Sequence, residues 1–239
     1  MAIVLPVAAV GLEEGFPLQA FAERIARFGG GVTPPPQLVD AAKIAVQDAV
    51  RVADRQRVWM DAYTEALYNT IAGTNYQLPS RFRHPAGPGW LIDASGRQRF
   101  EIHYRQPVIF RQVVHSETTT GGLPRLYTII NRVTTGQLTV YPLPSATTIT
   151  NYPQFRIPYF SGLTVPKENG QFIVAGEVLE SAIYEEALFR FYRLTTRPDL
   201  AALQVPTMVD AWRAAERDDN MRRANTFVTG SRYSPWTRW

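Results

Sequence analysis

Along Pro17–Phe28 the apolar residues Leu18, Phe21, Ile25 and Phe28 recur at three- and four-residue spacing, which predicts a short amphipathic helix stopped by Gly29-Gly30-Gly31. Pro34-Pro35-Pro36 predicts an extended linker that starts the next helix. From Gln37 to about Ala72 no Pro or Gly interrupts the chain, and Leu38, Ala42, Ala45, Ala49, Val52, Trp59, Tyr63, Leu67 and Ile71 follow a helical stripe. One long helix, or two with a bend, is expected. Its small face of Ala41, Ala42, Ala45, Ala49 and Ala53 allows close approach of another helix. Asp48, Arg51, Asp54 and Arg55 read as surface pairs on the other side.

The period then changes. In Gly121–Pro144, Leu126, Thr128 and Ile130 alternate with Tyr127, Ile129 and Asn131, and Leu138 and Val140 alternate with Thr139 and Tyr141. With Val133–Gly136 as the connection and Pro142 and Pro144 at the exit, this stretch predicts a β-hairpin. Trp90–Ile92, Arg99–Arg105 and Val108–His115 read as further strands, and Phe155–Phe160 as an extended edge segment. Several short strands with turns between them imply a small antiparallel sheet or sandwich.

Helical spacing returns after Gly176. Val178, Leu179, Ala182, Ile183, Leu188, Phe189, Phe191, Tyr192 and Leu194 cover more than one face, which implies burial by several neighbours or by other subunits. Pro198 breaks this helix; a turn at Asp199–Leu203 and a last helix from about Pro206 to Asn225 follow. Phe227–Trp239 has no helical period but holds Tyr233, Trp236 and Trp239 among Arg232 and Arg238, the residue types that anchor interfaces. It reads as a docking arm, with folding back onto the β module as the alternative.

The fold class expected is α+β: a helical bundle from N- and C-terminal helices, an inserted antiparallel β-sheet or sandwich, and an extended C-terminal arm. By residue these parts are an N-terminal extension with a short helix (1–36), the long helix (37–73), the β module (74–170), the closing helices (171–226) and the arm (227–239).

Composition narrows the chemistry. The absence of cysteine excludes a disulfide framework, a thiolate metal site and a cysteine nucleophile. The net charge of +4 is carried almost wholly by arginine, with Lys43 and Lys167 the only lysines, and the basic residues are scattered rather than blocked. A solvated surface is the expected use of them. His84, His103 and His115 lack metal-ligand spacing, and the triple glycine lacks the Lys-Ser/Thr pair of a phosphate-binding loop. Glu185-Glu186 and Asp218-Asp219 read as charged helix faces, since neighbours on a helix point in different directions. No catalytic motif and no cofactor is expected. Ile3–Val10 is apolar, but with Pro6, its short length and no preceding basic residue it predicts neither a signal peptide nor a membrane anchor.

The order of parts resembles the head-to-tail adaptor proteins of tailed bacteriophages, closest to the tail-tubular-A or neck-adaptor type of short-tailed phages. The resemblance covers about Gln37–Asn225 and rests on NYQLP, GLPRLYTI, QLTVYPLP, QFRIPYF, EEALFRFYR and DAWRAAERDDN in that order. It implies a structural virion protein, not an enzyme, assembled in the bacterial host cytoplasm. It further implies a ring of twelve copies between the portal and the tail nozzle or tail tube, with DNA passing through the channel without sequence specificity. On this reading Ala42, Ala45, Ala49, Val52, Ile183 and Leu188 belong to the subunit interface, and Arg232, Tyr233, Trp236, Arg238 and Trp239 to the portal contact. The alternative class is a nucleic-acid-binding module using the scattered arginines and the C-terminal aromatics.

Overall fold

The computed structural model describes residues 8–10, 16–73, 75–79, 81–117, 121–130, 136–173 and 175–228. The fold is α+β, and the chain divides into two compact units. One comprises Met1–Leu12 with Tyr63–Ser161, the other Glu13–Ala62 with Gly162–Trp239.

The helical unit contains α1 (Leu18–Gly30), α2 (Pro36–Gln56), α5 (Glu177–Leu194) and α6 (Pro198–Val228). Strand β2 (Phe16–Pro17) pairs with β11 (Phe172–Ile173), and Phe16 stacks on Phe21 at 4.1 Å. The core gathers Leu18, Phe21 and Ile25 of α1, the alanine face of α2, Leu179, Ile183 and Phe191 of α5, and Trp212 and Ala215 of α6. The neighbours that cover the many-sided α5 are therefore α1, α2 and α6 of the same chain. The triple glycine does more than stop α1. Gly29 and Gly30 lie inside the helix, where an added Cβ would come within 3.0 Å of Phe191 and 2.8 Å of Pro35. Only Gly31, at φ 76°, uses the left-handed freedom of glycine to cap it.

Two helical readings are corrected here. Helix α2 stops at Gln56, because Arg57 turns extended and the Trp59 indole N–H donates back to the Ala53 carbonyl at 2.9 Å. After a 3-10 turn at Met60–Ala62 the chain becomes strand β3 (Tyr63–Asn69), with Thr64, Ala66 and Tyr68 buried at period two. Tyr63, Leu67 and Ile71 fit a helical stripe equally well; the full-length pairing with β10 (Gln154–Ser161) decides for the strand. Conversely, α6 runs unbroken through Pro206. That position is exposed, so water can take up the carbonyl that loses its donor.

The β unit holds β1 (Ala8–Val10), β3, β4 (Asn75–Gln77), β5 (Phe82–Pro85), β6 (Gly89–Ile92), β7 (Gln98–Tyr104), β8 (Leu126–Ile130), β9 (Gln137–Tyr141) and β10. The sheet order is β1-β3-β10-β6-β7-β8-β9-β4, with β5 also on β10. The apolar N-terminal run thus contributes an edge strand. The expected hairpin forms as β8 and β9, in register from Leu126 opposite Tyr141 to Ile130 opposite Gln137. Part of its connection lies outside the described residues.

Val108–His115, expected as a strand, belongs instead to α3 (Pro107–Ser116), opened by proline at its first turn. This helix is the crossover that lets β7 and β8 run parallel, so the sheet is mixed rather than wholly antiparallel. The expected edge segment is also corrected. Strand β10 is central, with β3 along one side and β6 and β5 end to end along the other. Pro158 is tolerated there because its carbonyl accepts from the Ala86 N–H, so its nitrogen faces the loop between β5 and β6, where no ladder bond is lost. Tyr68, Tyr76 and Phe155 pack as an aromatic trio at the centre, with centroids 4.7 to 5.6 Å apart.

Gly89 tests the closeness of β6 and β10. A Cβ there would lie 2.3 Å from Ile157 Cδ1 and 2.8 Å from the Arg156 carbonyl oxygen. Gly89→Ala should destabilise the β unit by about 1–3 kcal/mol, whereas Gly170→Ala, which meets nothing within 4 Å, should not. Urea unfolding of the two variants checks both.

Candidate assembly interface

The residues expected to meet a neighbouring subunit lie inside this chain's own core. Ala42, Ala45, Ala49 and Ile183 have no exposed surface, Leu188 has 5%, and Val52 is half-buried against the same cluster. The small face of α2 does admit a close neighbour, and α1 and α5 of the same chain fill it. Ala42, Ala45, Ala49, Ile183 and Leu188 therefore have little or no surface left for a second copy, and Val52 keeps part of its own. Arg232, Tyr233, Trp236, Arg238 and Trp239 lie outside the described residues. Of the expected arm, Phe227 and Val228 continue the backbone of α6.

The acidic pairs divide their roles. Glu185 lies partly open beside the Gln204 amide, which donates to it. Its carboxyl is held above the usual range, chiefly by burial. Glu186 is buried and accepts from Arg190 Nε at 2.7 Å and from the Trp212 indole N–H at 3.2 Å, tying α5 to α6. The reading as charged faces is thus corrected for Glu186, and more strongly for Asp219.

Asp219, 3% exposed, accepts from the Met60 backbone N–H at 2.5 Å and pairs with Arg57 at 2.9 Å and Arg223 at 2.8 Å. Arg223 also donates to the Val58 carbonyl, and Arg222 pairs with Asp61 and, at 3.7 Å, with Asp218. The Arg57 guanidinium lies 5.5 Å from the centre of the Trp59 ring, which stacks on Trp212 at 5.9 Å. The far half of α6 therefore grips residues 57–62, the segment through which the chain leaves α2. Sequence spacing could not reveal this, because the partners lie about 160 residues apart.

Of the histidines, His103 Nε2 stands 3.6 Å from Glu101 on an exposed strand, and His115 is exposed on α3. His84 on β5 is held below its ordinary pKa, first by burial and then by Arg83. Among the described residues, no three His, Asp or Glu side chains are grouped to hold a metal. Nor is any helix among them long and apolar enough to cross a membrane. An open depression of about 740 Å³ lies between the β6–β7 turn and the end of α4 (Ala146–Asn151), lined by Asp93, Arg99, Phe100 and Tyr152 among others. Asp93 spends its oxygens on the turn itself, accepting from the Ser95 hydroxyl at 2.6 Å, the Arg97 N–H at 2.9 Å and Arg99 Nε at 2.6 Å. These three, in that order, hold its carboxyl well below the usual aspartate range.

A model of the SU10 adaptor protein family matches residues 18–235. The match takes in both units from α1 to beyond the end of α6. A search of curated proteins finds no match. The resemblance to phage adaptors is supported at the level of the adaptor family, without reaching the tail-tubular-A type. The match lends nothing to the reading as a nucleic-acid-binding module.

The different placement of the two adjacent aspartates is measurable. Asp219→Ala leaves the buried Met60 N–H and the half-buried Arg57 and Arg223 without their carboxylate and should cost about 2–4 kcal/mol; Asp218→Ala, at a half-open pair, should cost less than about 1 kcal/mol. Thermal unfolding followed by tryptophan fluorescence, to which Trp59 and Trp212 contribute, separates them. Asp93 has a lowered folded pKa, so its network adds stability above the unfolded value of about 4 and loses it as pH falls through the folded value. An NMR titration should place the Asp93 midpoint clearly below that of an unstructured aspartate; an ordinary midpoint would mean that the turn network does not hold.

Proposed function

Because the chain belongs to the SU10 adaptor protein family, we propose that it joins the head of a tailed bacteriophage to its tail as an oligomeric, structural part of the virion. The family match over residues 18–235 carries this reading. On it, copies of the chain form a ring, twelve in number by the resemblance of parts, between the portal and the tail nozzle or tail tube. DNA passes through the channel without sequence-specific contacts, and assembly takes place in the host cytoplasm.

The packing supports a particular order of events. The alanine face of α2 and the many-sided α5 are satisfied within one chain, so each copy has a complete helical core before it meets another. Ring contacts then use surfaces left open by folding. The segment beyond α6 serves as the portal contact, with Tyr233, Trp236 and Trp239 as anchors and Arg232 and Arg238 beside them.

Negative-stain imaging of the purified chain, alone and with its portal protein, should show rings; monomers under both conditions would count against the reading. Removing residues 229–239 should leave the melting temperature unchanged and abolish portal binding. A truncated chain that binds portal with unchanged affinity would rule out the arm, and a lowered melting temperature would show that the tail belongs to the core.

A further inference from the structure

Two helix faces left open by folding are matched in character and opposite in charge. On the β unit, α3 buries only Phe110, whose ring meets Tyr141 edge-on at 6.2 Å. Its outer side carries Val108, Arg111, Gln112 and His115 at i, i+3, i+4 and i+7, a single stripe. Val108 is 68% exposed, and Ile109 and Val114 are exposed beside it. Arg105 precedes the helix, while Arg125, beside the strand β8 against which α3 packs, pairs at 3.5 Å with Glu117 at the end of α3, so Arg105 and Arg111 carry the positive charge of this face. The stretch Tyr63–Ser161 holds nine arginines against four carboxylates, so all of the chain's positive excess sits in this unit.

The first half of α6, on the helical unit, presents the opposite character. Asp199, Leu203, Pro206 and Asp210 fall at i, i+4, i+7 and i+11, an exposed stripe about 16 Å long. Leu203 is 75% exposed and Val205 stands beside it. Between Arg197 and Arg213 the only charged residues are Asp199 and Asp210. Asp210 pairs with Arg213 at 3.4 Å with both side chains open to solvent, a contact of little worth that another arginine can replace.

We infer that α3 of one copy packs on the first half of α6 of a second copy. This rests on the self-association proposed above and specifies its surface. Val108 and Ile109 meet Leu203, Val205 and Pro206, while Arg105 faces Asp199 and Arg111 faces Asp210, which sets the register. The contact joins two different faces, so it leaves a free α3 at one end of a pair and a free α6 face at the other. Such a heterologous contact repeats until it closes into a ring, whereas a contact between two identical faces would stop at a dimer.

The test uses the full chain and reads association by sedimentation velocity across a concentration series. Arg111→Glu and Asp210→Arg should each weaken association by about tenfold or more, and so should Val108→Ser combined with Leu203→Ser. All four positions are exposed, so melting temperatures should stay unchanged. The chain carrying both Arg111→Glu and Asp210→Arg should recover association, because the exchanged charges face each other again. Single variants that assemble like the unaltered chain, or a double exchange that recovers nothing, overturn the α3–α6 contact while self-association stands. An unaltered chain that stays monomeric throughout overturns self-association and this contact with it.

Discussion

A buried carboxylate on α6 governs how the chain leaves its helical unit. Asp219 takes the Met60 N–H and two guanidiniums, and its neighbours Arg222 and Arg223 hold Asp61 and the Val58 carbonyl. A lone carboxylate at that depth would be strongly unfavourable; its three donors offset the cost of removing it from water. The segment after α2 is thereby pinned to a helix that arrives at the end of the chain. Strand β3 starts directly after it, so the entry to the sheet depends on a residue remote in sequence.

The same economy of contacts explains why the alanine stripe is not an open surface. Close helix approach needs small residues on at least one side, and α2 offers them to Phe191, Ile183 and Leu179 of α5 and to Phe21 and Ile25 of α1. Once these are in place the face is full. On the proposed reading, other copies and other virion parts meet surfaces that folding leaves open, and the apolar residues that folding does not cover are candidates for those contacts. These lie mainly at helix ends and on α3 and α6. They alternate with charged residues, which suits contacts made between already folded protomers.

Several elements were legible from the chain alone. The hairpin of β8 and β9 followed from period-two alternation between glycine and proline boundaries, α1 and α5 from apolar spacing, and the α+β class from their order. The resemblance to phage adaptors likewise rested on short motifs in sequence. Other elements misled for stated reasons. Val108–His115 is rich in β-branched residues, yet Pro107 opens a helix there because β7 and β8 must be joined in parallel. Phe155–Phe160 read as an edge segment, yet a central position is allowed because the missing donor of its Pro158 faces a loop.

What the sequence determined by itself is local: the periods of its segments, the places where glycine and proline interrupt them, and the absence of cysteine chemistry. Tertiary structure decided whether Tyr63–Asn69 became helix or strand, because its pattern suits both and its partner strands, β10 along its full length and β1 on the other side, distinguish them. It also decided which aspartate of an adjacent pair is buried, and that the small face of α2 is closed by its own chain. These are properties of contacts between distant segments, and a pattern of apolar and polar residues states that a face must be covered without stating what covers it.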